Sequence, residues 1–456
     1  MGNIIINVSK FVNIFIMLLY VTSCLQCFKE DNQRQTNKRL NKQIIYVFLF
    51  HFSCYLTIAI SKPDQLKEVM IFYGLQTLVA TLYMYIYHYI YPFSSRMIAN
   101  NMCFLMLIGY IMLTRLSFGL AVRQFLIATV TLIAVSFIPM IMDRYKNLRN
   151  YGMVYGVVGI LALCSVFVIG VEKYGSRNWI SIAGMSIQPS ELVKILFVFF
   201  VASMLSQKRD FKQVVITTAF AGLHMIILAL EKDLGAALIF FVIFIMMIYI
   251  GTGKLRYLIM YLGGGAACVG LAFLLFKDRL FDHVLIRVNV WKDPWADLNG
   301  TGYQITQSLF AIGSGGYFGS GLTKGSPNSI PVSESDFIFS AISEEFGVIF
   351  GIALIVVCFC CFISFISIAM KVRNRFYKTM AFGFSICYIF QTFLSIGGVV
   401  KFIPSTGVTI PLISYGGSSI LSSLVMFSIM QGISTIENKE AKKIEEERRN
   451  IEESQE

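Results

Sequence analysis

The sequence predicts an all-α, polytopic helical membrane protein with about thirteen transmembrane helices. Three observations carry that class. Of the 456 residues, 56% are hydrophobic and only 14% are charged, more apolar surface than a water-soluble domain hides. Apolar runs close to the roughly 20 residues that cross a hydrocarbon core recur along the whole chain. These runs are continuous rather than alternating, which excludes a β-barrel.

The expected spans fall near 9–28, 44–61, 69–91, 102–118, 124–142, 151–171, 188–206, 213–230, 234–252, 257–276, 336–368, 379–400 and 413–435. Basic clusters follow alternate spans: Lys29 to Lys42, Arg96, Arg144 to Arg149, Lys208 to Lys212, Lys254 with Arg256, and Lys371 to Lys378. Simple alternation puts them all on one side, which the positive-inside bias makes cytoplasmic. The N-terminus is then expected outside and the C-terminus inside. The net charge of +12 is absorbed by this pattern, and no nucleic-acid partner is expected. Val21-Thr22-Ser23-Cys24 looks like a lipoprotein cleavage site, but the basic run after it favours a permanent anchor. The ten Cys lie in or beside apolar segments, with no His near Cys24/Cys27 or Cys358/Cys360/Cys361, and read as packing residues. The tail, 437–456, mixes Lys, Arg and Glu and is expected as an exposed helix or disorder.

One connection is long. Lys277 to Asp336 is polar, holds Arg287 and a Gly-rich run from Gly313 to Gly321, and ends in Ser333-Glu334-Ser335-Asp336. Long structureless loops are functional or disordered as a rule, and alternation places this one outside. Its Gly-rich run is not a phosphate loop, because Lys324 is followed by Gly325; it lets backbones approach closely. Asp336 reads either as the N-cap of the next helix, with Ser335 as the other choice, or as a catalytic carboxylate.

Other ionisable groups in apolar surroundings each need a reason. Glu191 and Lys194 share a helix face, as a mutually neutralising pair or as the charged wall of a cavity for a phosphorylated ligand. Trp179 sits in an external loop from Tyr174 to Ile180 as a headgroup-level anchor. Arg115 at the end of its span is explained by snorkelling. Asp233, beside Glu231 and Lys232, opens a helix, and Glu344 and Glu345 lie two turns beyond Asp336. Between Lys401 and Ser419, two Pro and three Gly suggest a re-entrant or broken segment.

Together these segments resemble the SEDS family of bacterial cell-wall proteins (RodA, FtsW, SpoVE and relatives) over residues 102–436. The matching blocks are Leu113-Thr114-Arg115-Leu116, Arg177-Asn178-Trp179-Ile180, Gln188-Pro189-Ser190-Glu191 with Lys194, and Asp233-Leu234-Gly235. They continue with Gly302-Tyr303-Gln304, Gln307-Ser308, Ser335-Asp336-Phe337-Ile338-Phe339, Glu344-Glu345 and Pro404 to Ser419. The resemblance implies a ten-helix core, with 1–101 as about three additional N-terminal helices, 277–335 as an extracellular loop and 437–456 as a cytoplasmic tail.

The resemblance further implies a peptidoglycan glycosyltransferase of the bacterial cytoplasmic membrane. It would polymerise lipid II (undecaprenyl-pyrophosphate disaccharide-pentapeptide) at the outer face, in cell-shape, division or sporulation wall synthesis. A class B penicillin-binding transpeptidase is the implied partner, besides membrane lipids. Asp336 falls on the catalytic acid of the family, with a divalent cation (Mg or Mn) as the one cofactor it would hold. Arg177, Trp179, Glu191, Lys194, Arg287, Gln304, Lys401, Thr409 and Ser414 are the expected substrate contacts, with Arg177, Lys194 and Arg287 facing the leaving pyrophosphate. Two departures stand out: Pro331 is followed by Val332 rather than Glu, and Glu231-Lys232 replaces Gln-Pro before Asp233. The rival functions are a lipid II flippase and a non-catalytic scaffold for a transpeptidase.

Overall fold

The computed structural model describes residues 2–453 apart from 31, 146, 174–175, 183–184 and 208–209. Among the described residues, 13 helices are long and apolar enough to cross a membrane. The chain opens with α1 (Gly2–Lys29), α2 (Gln33–Ser61) and α3 (Leu66–Leu82), the last prolonged through a π turn into α4 (His88–Ile90). There follow α5 (Arg96–Leu116), α6 (Phe118–Val135), α7 (Ile138–Arg144) and α8 (Gly152–Ile169). Three short strands, β1 (Gly170–Lys173), β2 (Ser176–Ile182) and β3 (Met185–Ile187), lead into α9 (Pro189–Gln207), α10 (Phe211–Leu230), α11 (Leu234–Thr252) and α12 (Leu255–Leu280). Next come α13 (Asp282–Lys292), α14 (Tyr303–Gly315), α15 (Ile338–Phe346), α16 (Val348–Lys371), α17 (Arg375–Val399) and α18 (Gly417–Glu453).

Local chemistry sets many of these boundaries. Asn32 and Asn374 cap α2 and α17 by accepting from Arg34 N and Phe376 N, each at 3.0 Å. Pro189 begins α9, where its missing N–H costs nothing. The spanning window of α5 is wholly buried, which places it inside the bundle: it packs on α2, α6 and α16. α12 is its opposite, exposed or half-buried along its described span except at Tyr257, with α11 as its main neighbour.

The N-terminal helices are docked, not appended loosely. α1 packs on α2 and α16, and α3 touches α5 and α6. Buried hydrogen bonds reinforce the seam: Tyr20 Oη donates to Asn101 Oδ1 at 2.6 Å, and Tyr55 Oη meets Thr114 Oγ1 at 2.9 Å. In an apolar medium such side-chain bonds act as interhelical glue.

Three local expectations are corrected. The segment around Trp179 is a strand of a small antiparallel sheet, ordered β1–β2–β3, rather than a loop; its run of Trp, Ile and Ser pairs with Val171 and Ile187. The span expected at 336–368 divides into α15 and α16 at Gly347, whose φ of +88° favours glycine. The polar stretch from Lys277 is no bare loop, since it carries α13 and α14.

The Gly-rich run explains the break at Gly347. A Cβ on Gly315 or Gly319 would collide with Ser343 O or Glu345 O, and one on Gly347 with Gly319 N. Close packing of two backbones is therefore the use of these glycines, as the sequence suggests.

Candidate active site

Asp336 lies in the turn before α15. It does not cap that helix: the capping position is Phe337, without a side-chain bond. The N-cap alternative thus falls away. The turn is held by the broken segment before α18. Ser414 Oγ donates to Ser335 O at 2.7 Å and accepts from Ile410 N at 2.9 Å. Tyr415 N donates to Glu334 O at 2.8 Å. Gln124 on α6 brackets the same segment, donating to Ser414 O at 2.8 Å and accepting from Gly416 N at 3.1 Å.

Asp336 opens onto a cleft of about 110 Å³ shared with Arg287, Trp291, Gln304, Lys401, Ser405 and Gly407. That volume holds several waters or one charged group. Arg287 and Trp291 lie four apart and share one face of α13. Arg287 Nη1 donates to Ser405 O at 3.3 Å, and Trp291 Nε1 to Lys401 O at 3.2 Å. These two bonds fasten α13 over 401–405. Gln304 Nε2 donates to Pro331 O at 3.2 Å and ties α14 to the turn that precedes Asp336.

Burial pushes the Asp336 carboxyl above its ordinary value, against the opposing effects of the Ser335 hydroxyl and the Arg287 charge. A carboxylate raised in this way is a better proton acceptor than a free one. Val332, four residues earlier, has φ +58°, an outlier for a β-branched residue, and such strain clusters at functional sites.

Of the expected contacts, Asp336, Arg287, Gln304 and Lys401 meet in the cleft. Ser414 supports it from behind. Thr409 is further back, its Oγ1 2.7 Å from Ser419 Oγ and its carbonyl accepting from Gln391 at 3.2 Å. Trp179 is on β2, opposite Val171. Arg177 is also on β2, and its side chain lies outside the described residues.

Lys194 is a correction. Its Nζ is 2.7 Å from Glu191 Oε2 and 2.6 Å from Gln391 Oε1, and its side chain is only 3% exposed. Glu191 also accepts from Ser422 Oγ at 2.6 Å. The pair pins α9, α17 and α18 together and does not line the cleft, because a buried charge keeps the partner that neutralises it. The cations at the cleft are Arg287 and Lys401. Trp291, Ser405 and Gly407 were missed by sequence reasoning; the spacing of Trp291 from Arg287 was the available signal.

A divalent ion at the cleft would rest on Asp336 alone among the lining acidic side chains, with water or a ligand's phosphates completing its shell. The cleft offers one lining carboxylate and two cations, and among the described residues no three His, Cys, Asp or Glu are grouped to hold a metal.

The cleft gathers a carboxylate and two cations at the end of a helical bundle, an arrangement that suits an anionic ligand. Residues 95–439 match the cell cycle protein family of FtsW, RodA and SpoVE, and the chain belongs to that family. It is similar to the peptidoglycan glycosyltransferase RodA of Mycobacterium tuberculosis, with 33% identity over 337 residues, 68% of this chain and 70% of the relative. The probable peptidoglycan glycosyltransferase FtsW of Geobacter metallireducens is 32% identical over 302 residues, 64% of this chain and 79% of the relative.

Among solved structures, a chain of a peptidoglycan synthase complex has a TM-score of 0.64 at 23% identity, covering 75% of this chain and 98% of its own. RodA of Thermus thermophilus has a TM-score of 0.56 at 21% identity, covering 75% and 96%. These two likenesses concern the fold. Family membership and the apolar helices make this a multi-pass protein of the bacterial cytoplasmic membrane. The matched region begins at residue 95, so α1 to α4 precede it.

Proposed function

We propose that the protein is a peptidoglycan glycosyltransferase that polymerises lipid II, with Asp336 as its base. The observation that carries this reading is the shared cleft of Asp336, Arg287 and Lys401. In the reaction, a sugar hydroxyl of one lipid II attacks the anomeric carbon of another. The bond from that carbon to the pyrophosphate oxygen breaks. Asp336 takes the hydroxyl proton, and Arg287 and Lys401 stabilise the charge gathering on the departing pyrophosphate.

The cleft would face the outer side of the membrane, in keeping with the basic clusters at the other end of the spans. A class B penicillin-binding transpeptidase is the proposed partner, supported by the peptidoglycan synthase complex in which a structural neighbour occurs.

The test is polymer formation from lipid II by purified protein in detergent, where flipping between leaflets has no meaning. The unmodified protein should form glycan polymer, and Asp336→Asn should form none while melting at the same or a higher temperature. Polymer made by Asp336→Asn would sink the assignment of the base. No polymer from the unmodified protein would favour the flippase or scaffold.

A further inference from the structure

The cleft takes none of its lining from α1, α2 or α3, yet polar side chains of this N-terminal group converge on one segment. The Gly-rich run and α15 form a single backbone-bonded unit. Ser320 N and Gly321 N donate to Glu344 O and Glu345 O, and Val348 N to Gly316 O, each at 2.9 Å. Ser326 N donates to Glu344 Oε1 at 2.7 Å. Asp336 stands just ahead of the first residue of α15 in this unit.

The N-terminal group reaches the unit by two routes. In the first, Lys10 Nζ on α1 donates to Gly319 O at 3.2 Å, and the Phe11 ring packs on Phe318 with centroids 5.5 Å apart. In the second, Lys62, between α2 and α3, donates to Thr114 O at 3.2 Å and Arg115 O at 3.4 Å. These are among the last carbonyls of α5, where a cation is favourable. Arg115 in turn pairs through Nε with Glu345 Oε1 at 2.9 Å and donates from Nη2 to Gly325 O at 3.0 Å. The Glu345 side chain is 0% exposed and that of Arg115 14%, so the link is shielded from water and stiff.

We propose that the N-terminal helices are a built-in clamp on the segment that carries Asp336, with Lys10 and Lys62 as positioning residues for the carboxylate. Added lipid-facing bulk would need no lysine at either place. Both lysines instead place their charge on carbonyls of the clamped unit or of the helix that anchors it.

The test uses the full-length protein in detergent, with hydrogen exchange at the Ser320, Gly321 and Ser326 amides and polymerisation kinetics on lipid II. The Lys10→Met/Lys62→Met variant should exchange these amides at least about tenfold faster, roughly the effect of 1.4 kcal/mol, while α9 to α11 stay protected. Its kcat should fall with KM unchanged, and Lys62→Arg alone should keep both properties. If protection is lost throughout the double variant, Lys62→Met alone is the variant that decides. Unchanged exchange at the three amides, or faster exchange with an unchanged kcat, would overturn the clamp. The positioning role rests on the glycosyltransferase reading. The exchange measurement needs no substrate, so failure of the clamp and failure of that reading are told apart.

Discussion

Asp336 and Arg287 both lie against Gly407: a Cβ built on Gly407 would lie 3.6 Å from Asp336 Oδ2 and 3.7 Å from Arg287 Nη2. The glycine has φ +71°, so it supplies the turn and leaves a gap beside acid and cation. Gly407→Ala should put a methyl into that gap and strain the backbone by about 1–2 kcal/mol. We expect kcat on lipid II to drop by at least about tenfold. Steady-state kinetics beside a melting curve will show whether the loss is catalytic or structural.

Asp336 must be ionised to accept a proton, and burial raises its pKa. The polymerisation rate should therefore fall on acidification with a midpoint above the ordinary aspartate range. Arg287 opposes the shift, so Arg287→Gln should move the midpoint further up as well as lower the plateau. A pH–rate profile of both proteins checks this, and a midpoint that stays put in Arg287→Gln would remove Arg287 from the neighbourhood of the base.

Lys194→Met leaves Glu191 in a buried setting without its cation, at a cost of about 3–5 kcal/mol. Glu191→Gln/Lys194→Met should recover much of that loss. Where either variant still folds, KM for lipid II should be unchanged, since neither residue lines the cleft. A raised KM in the folded double variant would restore the pair to a substrate-binding role.

Glu231 is 1% exposed, its Oε1 has no partner among the described residues, and burial with the nearby Asp233 raises its pKa from 4.5 to about 8. The native state holds this proton more tightly than the unfolded chain does. Stability is accordingly unaffected by Glu231 below pH 4.5 and is lost as pH rises from 4.5 towards 8. Glu231→Gln should melt higher than the parent, by a margin that grows across that window and then levels, on the order of 1–3 kcal/mol. Melting curves at several pH values will detect it, and a margin that does not vary with pH would contradict it.

The membrane class and nearly all the spans were legible because lipid imposes its demand on composition and run length. Gln304 and Asp336 were legible as site residues through motif blocks, whereas Arg287 and Lys401 lie outside those blocks and were legible only as cations in a polar loop and a broken segment between spans. Their meeting in one cleft was not legible, since it depends on how α13 folds down over 401–405. Lys194 illustrates the reverse failure. A buried charge three residues from an acid looks the same in sequence whether it serves a ligand or only its neighbour. The division of α15 from α16 was hidden for a similar reason: Gly347 is an ordinary helix glycine until the Gly-rich run, nearly 30 residues earlier, packs against it.

α18 is one uninterrupted helix of 37 residues, roughly 55 Å long at 1.5 Å per residue. Its first turn follows directly on Ser414 and Tyr415, which grip the turn of Asp336, and its far end is charged and exposed. The membrane here is crossed by a long shaft whose first turn adjoins the residues that hold the turn of Asp336. Between the shaft and the residues that hold the turn of Asp336 stand Gly416 and Gly417, so this glycine pair is the joint through which any load on the charged end would pass.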